Sequence, residues 1–279
     1  MELVISEKSK VKQFETIFKH LKHISVDVNL IFTEEGLYTQ GMCSSHVSLF
    51  ELNLDKSWFQ SYSVTNESLI LGVNCEMLFK CISCLEENQI ISMKSDGGDS
   101  IELNFTGDKS VNKHFMLPMM SIDSEQMEIP EVEYSADITM LSEQLDHLVS
   151  ELNDFGNVVN ITCNEENIIM EVLGEMGNMT LNIKEEDIIE YALEENENPE
   201  KGTEFADVLK MSYALEFIKN VCLFSKLNKE IKMHISEEYP IKFEYSLDIW
   251  SDSVKEDGEE EDIETINYIR FFVAPKIED

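Results

Sequence analysis

Residues 116–135 read MLPMMSIDSEQMEIPEVEYS and lie near the middle of the 279-residue chain. Their apolar residues follow neither the period of two of a strand nor the period of about 3.6 of a helix. Pro118 and Pro130 restrict the backbone before them to extended conformations. The stretch therefore predicts a stiff, extended connector between two parts of the chain.

The sequences on either side of this connector resemble each other at a fixed offset of 131 residues. Apolar positions with the spacing of a helix face, 14, 17, 18 and 21, recur at 145, 148, 149 and 152. Val28 corresponds to Val159, and the Glu-Glu pair at 34–35 returns at 165–166. A helix–strands–helix–strands unit used twice predicts an internal duplication and a two-domain α+β fold.

Periodicity also predicts the individual elements. Helices are expected over residues 10–24, 75–85, 141–155 and 208–224. Strands are expected over residues 26–32, 37–42, 46–54, 68–73, 90–95, 101–107, 114–117, 178–183, 231–236, 241–246 and 266–274.

Length and composition narrow the class of protein. A hydrophobic fraction of 43% in 279 residues suffices for a core in each of two domains. No apolar run reaches the length of a membrane span, and the N-terminus lacks the apolar region of a signal peptide. We therefore expect an intracellular protein without a membrane partner.

Six cysteines are too few and too scattered for a disulfide framework. Cys81 and Cys84 form a CxxC motif, but no second Cys or His pair lies nearby, so the zinc signal is weak. Both fall in an apolar helical run, which favours packed thiols. We expect no metal and no cofactor.

The charge is strongly acidic, with 21 basic against 56 acidic residues and a net charge of −35. Residues 6–24 depart from this balance, with five lysines and two glutamates. Residues 185–200 and 251–264 each hold eight carboxylates, and both are expected to be solvated loops. An alternative for residues 251–264 is a protein-binding or self-shielding tail that competes with DNA.

Four stretches carry a family resemblance: MCSSHVSLFEL (42–52), LGVN (71–74), EQMEIPEVEYS (125–135) and FFVAPKIED (271–279). They resemble the proliferating cell nuclear antigen family, the eukaryotic sliding clamps. The resemblance implies the duplicated DNA-clamp fold, with clamp domains at residues 1–117 and 136–279 and a connecting loop at 118–135. It implies a homotrimeric ring with helices lining a hole and sheets outside, which encircles double-stranded DNA and catalyses nothing.

The resemblance also implies partners and a location. The partners are DNA polymerase and other replication and repair proteins with a clamp-binding motif, and an ATP-dependent clamp loader. The location is the nucleus or, for a viral protein, the site of viral DNA replication. The implied site for a glutamine–aliphatic–double-aromatic peptide comprises Met42, His46, Val47, Leu49, Gln126, Met127, Ile129, Pro130, Pro240, Phe272, Val273, Ala274 and Pro275.

The same resemblance assigns other residues to contacts with DNA and with neighbouring subunits. The DNA-facing residues are Lys12, Lys19, Lys22, Lys80, His147 and Lys219. The subunit contact pairs Lys113, Phe115 and Leu117 with Met179, Leu181 and Ile183. With a single arginine in the chain, Arg270, we expect weak, salt-dependent DNA affinity without sequence specificity.

Two rival functions remain to be weighed. Ser45 beside His46 suggests a nucleophile–base pair of an enzyme, but adjacent strand residues point to opposite faces, and no catalytic motif appears. The second rival is a monomeric or dimeric processivity factor or scaffold of the same fold. The charge of −35 per chain favours this rival, because charge repulsion opposes assembly.

Overall fold

The structure, a computed structural model, describes residues 1–65, 67–123, 126–194, 209–248 and 265–276. It divides into two compact units, each built from three segments of the chain. Unit 1 takes its described residues from Met1–Gly41, Glu51–Glu125 and Ser246–Ile269. Unit 2 takes them from Met42–Phe50, Gln126–Tyr245 and Arg270–Asp279.

The elements follow in chain order. Up to residue 118 they are β1 (Glu2–Ile5), α1 (Lys8–His20), β2 (Asp27–Thr33), β3 (Gly36–Met42), β4 (Ser48–Asp55), β5 (Ser61–Ser63), β6 (Ser68–Asn74), α2 (Cys75–Ile82), β7 (Ile90–Lys94), β8 (Ser100–Thr106) and β9 (Lys113–Pro118). From residue 136 they are β10 (Ala136–Leu141), α3 (Ser142–Asn153), β11 (Val158–Cys163), β12 (Asn167–Gly174), β13 (Gly177–Lys184), β14 (Glu190–Leu193), β15 (Leu209–Ala214), α4 (Leu215–Cys222), β16 (Glu230–Ile235), β17 (Ile241–Ser246) and β18 (Tyr268–Val273).

Unit 1 contains a sheet of antiparallel strands in the order β5-β1-β7-β8-β9, so β9 lies at its edge. Strand β2 is not part of this sheet and pairs antiparallel with both β3 and β6. Helix α1 buries Phe14, Ile17 and Phe18 because they share one helix face. Helix α2 begins where the Asn74 side chain accepts a hydrogen bond from the Met77 amide at 3.0 Å.

Unit 2 repeats this plan. Its first sheet has the order β13-β12-β11-β15, with β13 at an edge. Strands β14, β10, β16 and β17 pair in that order and antiparallel. Helix α3 buries Leu145, Val149 and Leu152, and α4 buries Leu215, Ile218, Val221 and Cys222. The predicted α+β class and internal duplication are confirmed, since β2 and β11, and β3 and β12, begin 131 residues apart.

Some element predictions were wrong in detail. The helix expected over residues 208–224 is a strand, β15, followed by the shorter α4. Residues of β15 pair with β11 along their whole length, and this pairing overrides their helical spacing. Strand β14 falls in the acidic stretch expected to be a loop. Residues 195–200 and 251–264 lie outside the described residues.

The connector expected in the middle of the chain holds no regular element among its described residues. After β9, the described residues 119–123 and 126–135 contain neither a helix nor a regular strand. Met120 forms an isolated bridge to Gly72, where a Cβ atom would lie 2.1 Å from the Met120 carbonyl oxygen. Only glycine permits this close approach.

Candidate functional site

Unit 2 contains an apolar cavity of about 210 Å³. The side chains that surround it come from parts of the sequence far apart from one another, and most are apolar. They are Met42, His46, Val47, Ser48, Leu49, Met127, Glu128, Ile129, Pro130, Val132, Tyr134, Tyr239, Pro240, Phe272 and Ala274.

A tight turn before β4 shapes one wall of this cavity. The Cys43 amide donates to the Ser48 carbonyl, and the His46 amide donates to the Cys43 carbonyl, each at 2.9 Å. His46 adopts a left-handed backbone with φ of 57°, and its Nδ1 lies 2.9 Å from Met42 Sδ. The imidazole therefore contacts a methionine of the cavity wall.

The second wall is the extended segment 127–134. Pro130, Val132 and Tyr134 alternate along it, so their side chains point the same way. The Tyr134 ring contacts His234, with centroids 5.5 Å apart, and Lys242, whose Nζ lies 5.1 Å from the Tyr134 centroid. Burial lowers the pKa of Lys242 and raises that of Tyr134. These contacts hold the end of the segment against β16 and β17.

The end of β18 closes the cavity. The Ala274 amide donates to the Val47 carbonyl at 2.9 Å, which joins the segment after β18 to the turn before β4. Two residues on, the Lys276 amide donates to the Ser212 carbonyl of β15 at 2.7 Å. These backbone hydrogen bonds thus position Ala274 at the cavity.

The structure brings together ten of the thirteen residues assigned to the peptide site in the sequence. Gln126, Val273 and Pro275 do not line the cavity, and Val273 is fully buried because it faces the core. Ser48, Glu128, Val132, Tyr134 and Tyr239 line it but were missed. The alternation from Pro130 was the signal that would have found Val132 and Tyr134.

Cys43 lies in the turn next to this cavity and is partly exposed. Partial burial raises its pKa, but hydrogen bonds from Ser45 and Ser48 outweigh that effect and lower the pKa to about 7. The Ser48 amide and the Ser45 hydroxyl both lie 3.2 Å from Sγ. The thiol is therefore substantially ionised near neutral pH.

A second, polar cavity of about 680 Å³ lies in the same unit and shares Val132 and Tyr239 with the first. Five glutamates are among its lining residues: Glu131, Glu133, Glu194, Glu237 and Glu238. The described part of the chain holds no group of three or more His, Cys, Asp or Glu arranged to hold a metal ion. No helix among the described residues is long and apolar enough to cross a membrane.

The residues assigned to DNA all lie on helices or the turns that extend them. Lys12 and Lys19 are on α1, Lys22 is in the 3-10 turn Leu21–His23, and Lys80 is on α2. In unit 2, His147 on α3 lies 3.6 Å from Glu151, and Lys219 on α4 is exposed. Helix α3 also carries Glu143 and Asp146, so its surface is acidic.

The residues assigned to the subunit contact lie on sheet edges. Lys113, Phe115 and Leu117 belong to β9, and Met179, Leu181 and Ile183 belong to β13. Leu117 and Ile183 are buried, whereas Phe115, Met179 and Leu181 are partly exposed. Among the described strands, β9 and β13 are each last in their sheet and so pair on one side only.

Known proteins resemble this chain over nearly its whole length. Residues 2–128 match the family described as "Proliferating cell nuclear antigen, N-terminal domain", and residues 128–252 match its C-terminal domain. "Proliferating cell nuclear antigen" of Chaetomium thermophilum is 28% identical over 93% of this chain and 92% of its own length. "Probable DNA polymerase sliding clamp 2" of Paramecium bursaria Chlorella virus 1 is 27% identical over 100% of this chain and 92% of its own length. Because the two domain matches together span residues 2–252, this chain belongs to the proliferating cell nuclear antigen family.

Proposed function

We propose that the chain forms a homotrimeric ring around duplex DNA and tethers DNA polymerase and other proteins through a peptide bound in the apolar cavity. Membership of the family makes the chain a sliding-clamp processivity factor and a non-enzymatic scaffold. Beyond family membership, we propose the trimeric ring, the way in which it holds DNA, and the peptide site.

The observation that carries the proposal is the apolar cavity bordered by an extended segment. At about 210 Å³ it is smaller than the roughly 300–1,000 Å³ of most small-molecule sites, which favours anchoring side chains of a peptide. The segment 127–134 borders the cavity with its backbone, which a peptide in extended conformation can follow. Buried aromatic anchors would supply the affinity at about 25 cal/mol per Å² of apolar surface.

The proposed domain boundaries and ring geometry rest on the family resemblance. We assign residues 1–117 and 136–279 to the two clamp domains and 118–135 to the connecting loop. Edge strand β9 of one subunit would pair with edge strand β13 of the next. Repeated head-to-tail contacts of this kind close into a ring.

DNA would be held by topology rather than by base contacts. The only arginine in the chain, Arg270, donates from Nε to Glu244 at 2.6 Å, so it is engaged within unit 2. A closed ring needs an ATP-dependent loader to open it. The proposed location is the nucleus or a site of viral DNA replication, in keeping with the fungal and viral relatives.

The charge favours a second candidate, a monomeric or dimeric processivity factor of the same fold. Three chains of −35 would repel one another more strongly than isolated chains do. Light scattering over a dilution series distinguishes the two. A mass near three times 32.2 kDa supports the ring, and a monomer or dimer throughout contradicts it.

Peptide binding is tested separately by fluorescence anisotropy. A labelled peptide with the glutamine–aliphatic–double-aromatic pattern should bind, and the same peptide with both aromatic residues replaced by alanine should not. Ile129→Ala should weaken binding, whereas Ile70→Ala, at an exposed position in unit 1, should leave it unchanged. Equal binding of both peptides would contradict the proposed site.

A further inference from the structure

Two glutamates of unit 1 each lie between two lysines assigned to DNA. On α1, Glu15 Oε2 is 3.3 Å from Lys12 Nζ, and Glu15 Oε1 is 3.9 Å from Lys19 Nζ. Positions three before and four after Glu15 lie on the same helix face. Each carboxylate oxygen of Glu15 therefore contacts a different lysine.

Glu76 on α2 repeats the arrangement across two elements. Its Oε2 is 3.5 Å from Lys22 Nζ, and its Oε1 is 4.0 Å from Lys80 Nζ. Lys22 Nζ also lies 3.3 Å from the centroid of the Phe79 ring, a cation–π contact. Lys22 is thus held by a carboxylate and an aromatic ring of the neighbouring helix.

The two glutamates lower the positive charge that a phosphate group would encounter on this surface. Four lysines and two glutamates leave a net charge of +2 in place of +4. A phosphate must also compete with a carboxylate already within 4.0 Å of each lysine. Each pair has at least one solvent-exposed partner, and solvent-screened ion pairs are weak, so the competition lowers phosphate affinity without abolishing it.

We propose that Glu15 and Glu76 are positioning residues that limit the affinity of this helix pair for DNA. They hold the lysines in place and keep phosphate contacts weak, which allows a ring to move along the duplex. The inference rests on the proposed function, in which these lysines face DNA. In unit 2, the surface of α3 is acidic, and the basic residue assigned to DNA on α4 is Lys219.

The test is the affinity for a short linear duplex, measured by anisotropy at low salt and at near-physiological salt. Glu15→Gln and Glu76→Gln should each tighten binding by about two- to five-fold at low salt. The double variant should multiply the two effects, because the glutamates share no lysine. Each variant should also steepen the fall of affinity with salt, since more lysine charge becomes available to phosphate.

Three control variants make the result specific. Glu34→Gln removes the same charge from an exposed turn of unit 1 and should have much less effect. Glu15→Asp and Glu76→Asp keep the negative charge, so their affinity for the duplex should stay close to that of the unsubstituted protein. If Glu34→Gln tightens binding as much as Glu15→Gln, the effect is one of net charge and the inference is wrong.

Lysine variants separate this inference from the proposed function. If Lys12→Ala and Lys22→Ala leave DNA affinity unchanged, the helices do not face DNA and the proposed DNA contact fails. If they weaken binding but neither Glu→Gln variant tightens it, the DNA contact stands and the role given to the glutamates is wrong. Glu76 is about half exposed, so its substitution is the one least prone to disturb folding.

Discussion

The ring of Tyr134 packs against the ring of His234, with centroids 5.5 Å apart and planes inclined by 45°. Tyr134 also lines the apolar cavity. The same side chain therefore joins the extended segment to strand β16 and forms part of the cavity wall. Removing the Tyr134 ring should therefore loosen that wall, while the other residues that line the cavity keep their identity.

Tyr134→Ala is expected to weaken binding of the aromatic peptide by about three- to ten-fold, the size of a lost aromatic contact. Tyr134→Phe should bind nearly as well as the unsubstituted protein, because the ring makes the contacts. Anisotropy titrations measure both variants. An equal loss in the two variants would show that the hydroxyl, not the ring, matters.

Two buried tyrosines offer a matched test of hydrogen bonding in the core. Tyr213 and Tyr245 are both fully buried. Tyr245 Oη donates to the Val221 carbonyl at 3.3 Å, whereas Tyr213 Oη has no hydrogen-bond partner among the described residues. Tyr245→Phe should lower the free energy of unfolding by about 1 kcal/mol, and Tyr213→Phe should leave it unchanged or raise it.

Urea unfolding at one fixed protein concentration measures both tyrosine variants. The midpoint should fall for Tyr245→Phe alone, with the slope unchanged. A similar fall for Tyr213→Phe would mean that its hydroxyl has a partner in the folded protein.

Cys43 should react with iodoacetamide already near neutral pH. Only the thiolate reacts, and the pKa is about 7, so the rate should rise up to that pH and level off above it. Ser45→Ala removes a hydrogen bond that stabilises the thiolate and should move the midpoint to higher pH. Mass spectrometry in a Cys84→Ser background locates the label, since Cys84 is exposed and Cys75, Cys81, Cys163 and Cys222 are buried.

A rate that keeps rising well above pH 8 would contradict the lowered pKa of Cys43. Bound aromatic peptide should also slow the labelling, because Cys43 adjoins Met42 of the cavity wall. Peptide without its aromatic residues is the control.

Met179→Asp should break the proposed subunit contact. The substitution places a carboxylate on the partly exposed face of edge strand β13, where a second strand would bury it at high cost. Light scattering should then report monomers, whereas Met179→Leu keeps the assembly. Ile266→Asp, at an exposed site before β18, is the control for added charge. Retention of the trimer mass by Met179→Asp would exclude β13 from the contact.

Local patterns in the sequence predicted much of this fold. The helix face of α1 and the offset of 131 residues are properties of nearby positions, so they could be recognised without coordinates. The error at residues 208–224 has the opposite cause. Pairing of β15 with β11, some fifty positions away, decided a stretch whose own spacing looked helical.

The sequence by itself determined the α+β class, the duplication and the family, because periodicity and motifs are carried by residues close together in the chain. Only the tertiary structure showed which side chains meet. Val273 turns into the core while Tyr134 and Tyr239 turn to the cavity, and this depends on strand register and on backbone bonds such as Ala274 to Val47. The contact of Glu76 with Lys22 likewise exists because α2 packs beside the turn after α1, which spacing along the chain does not reveal.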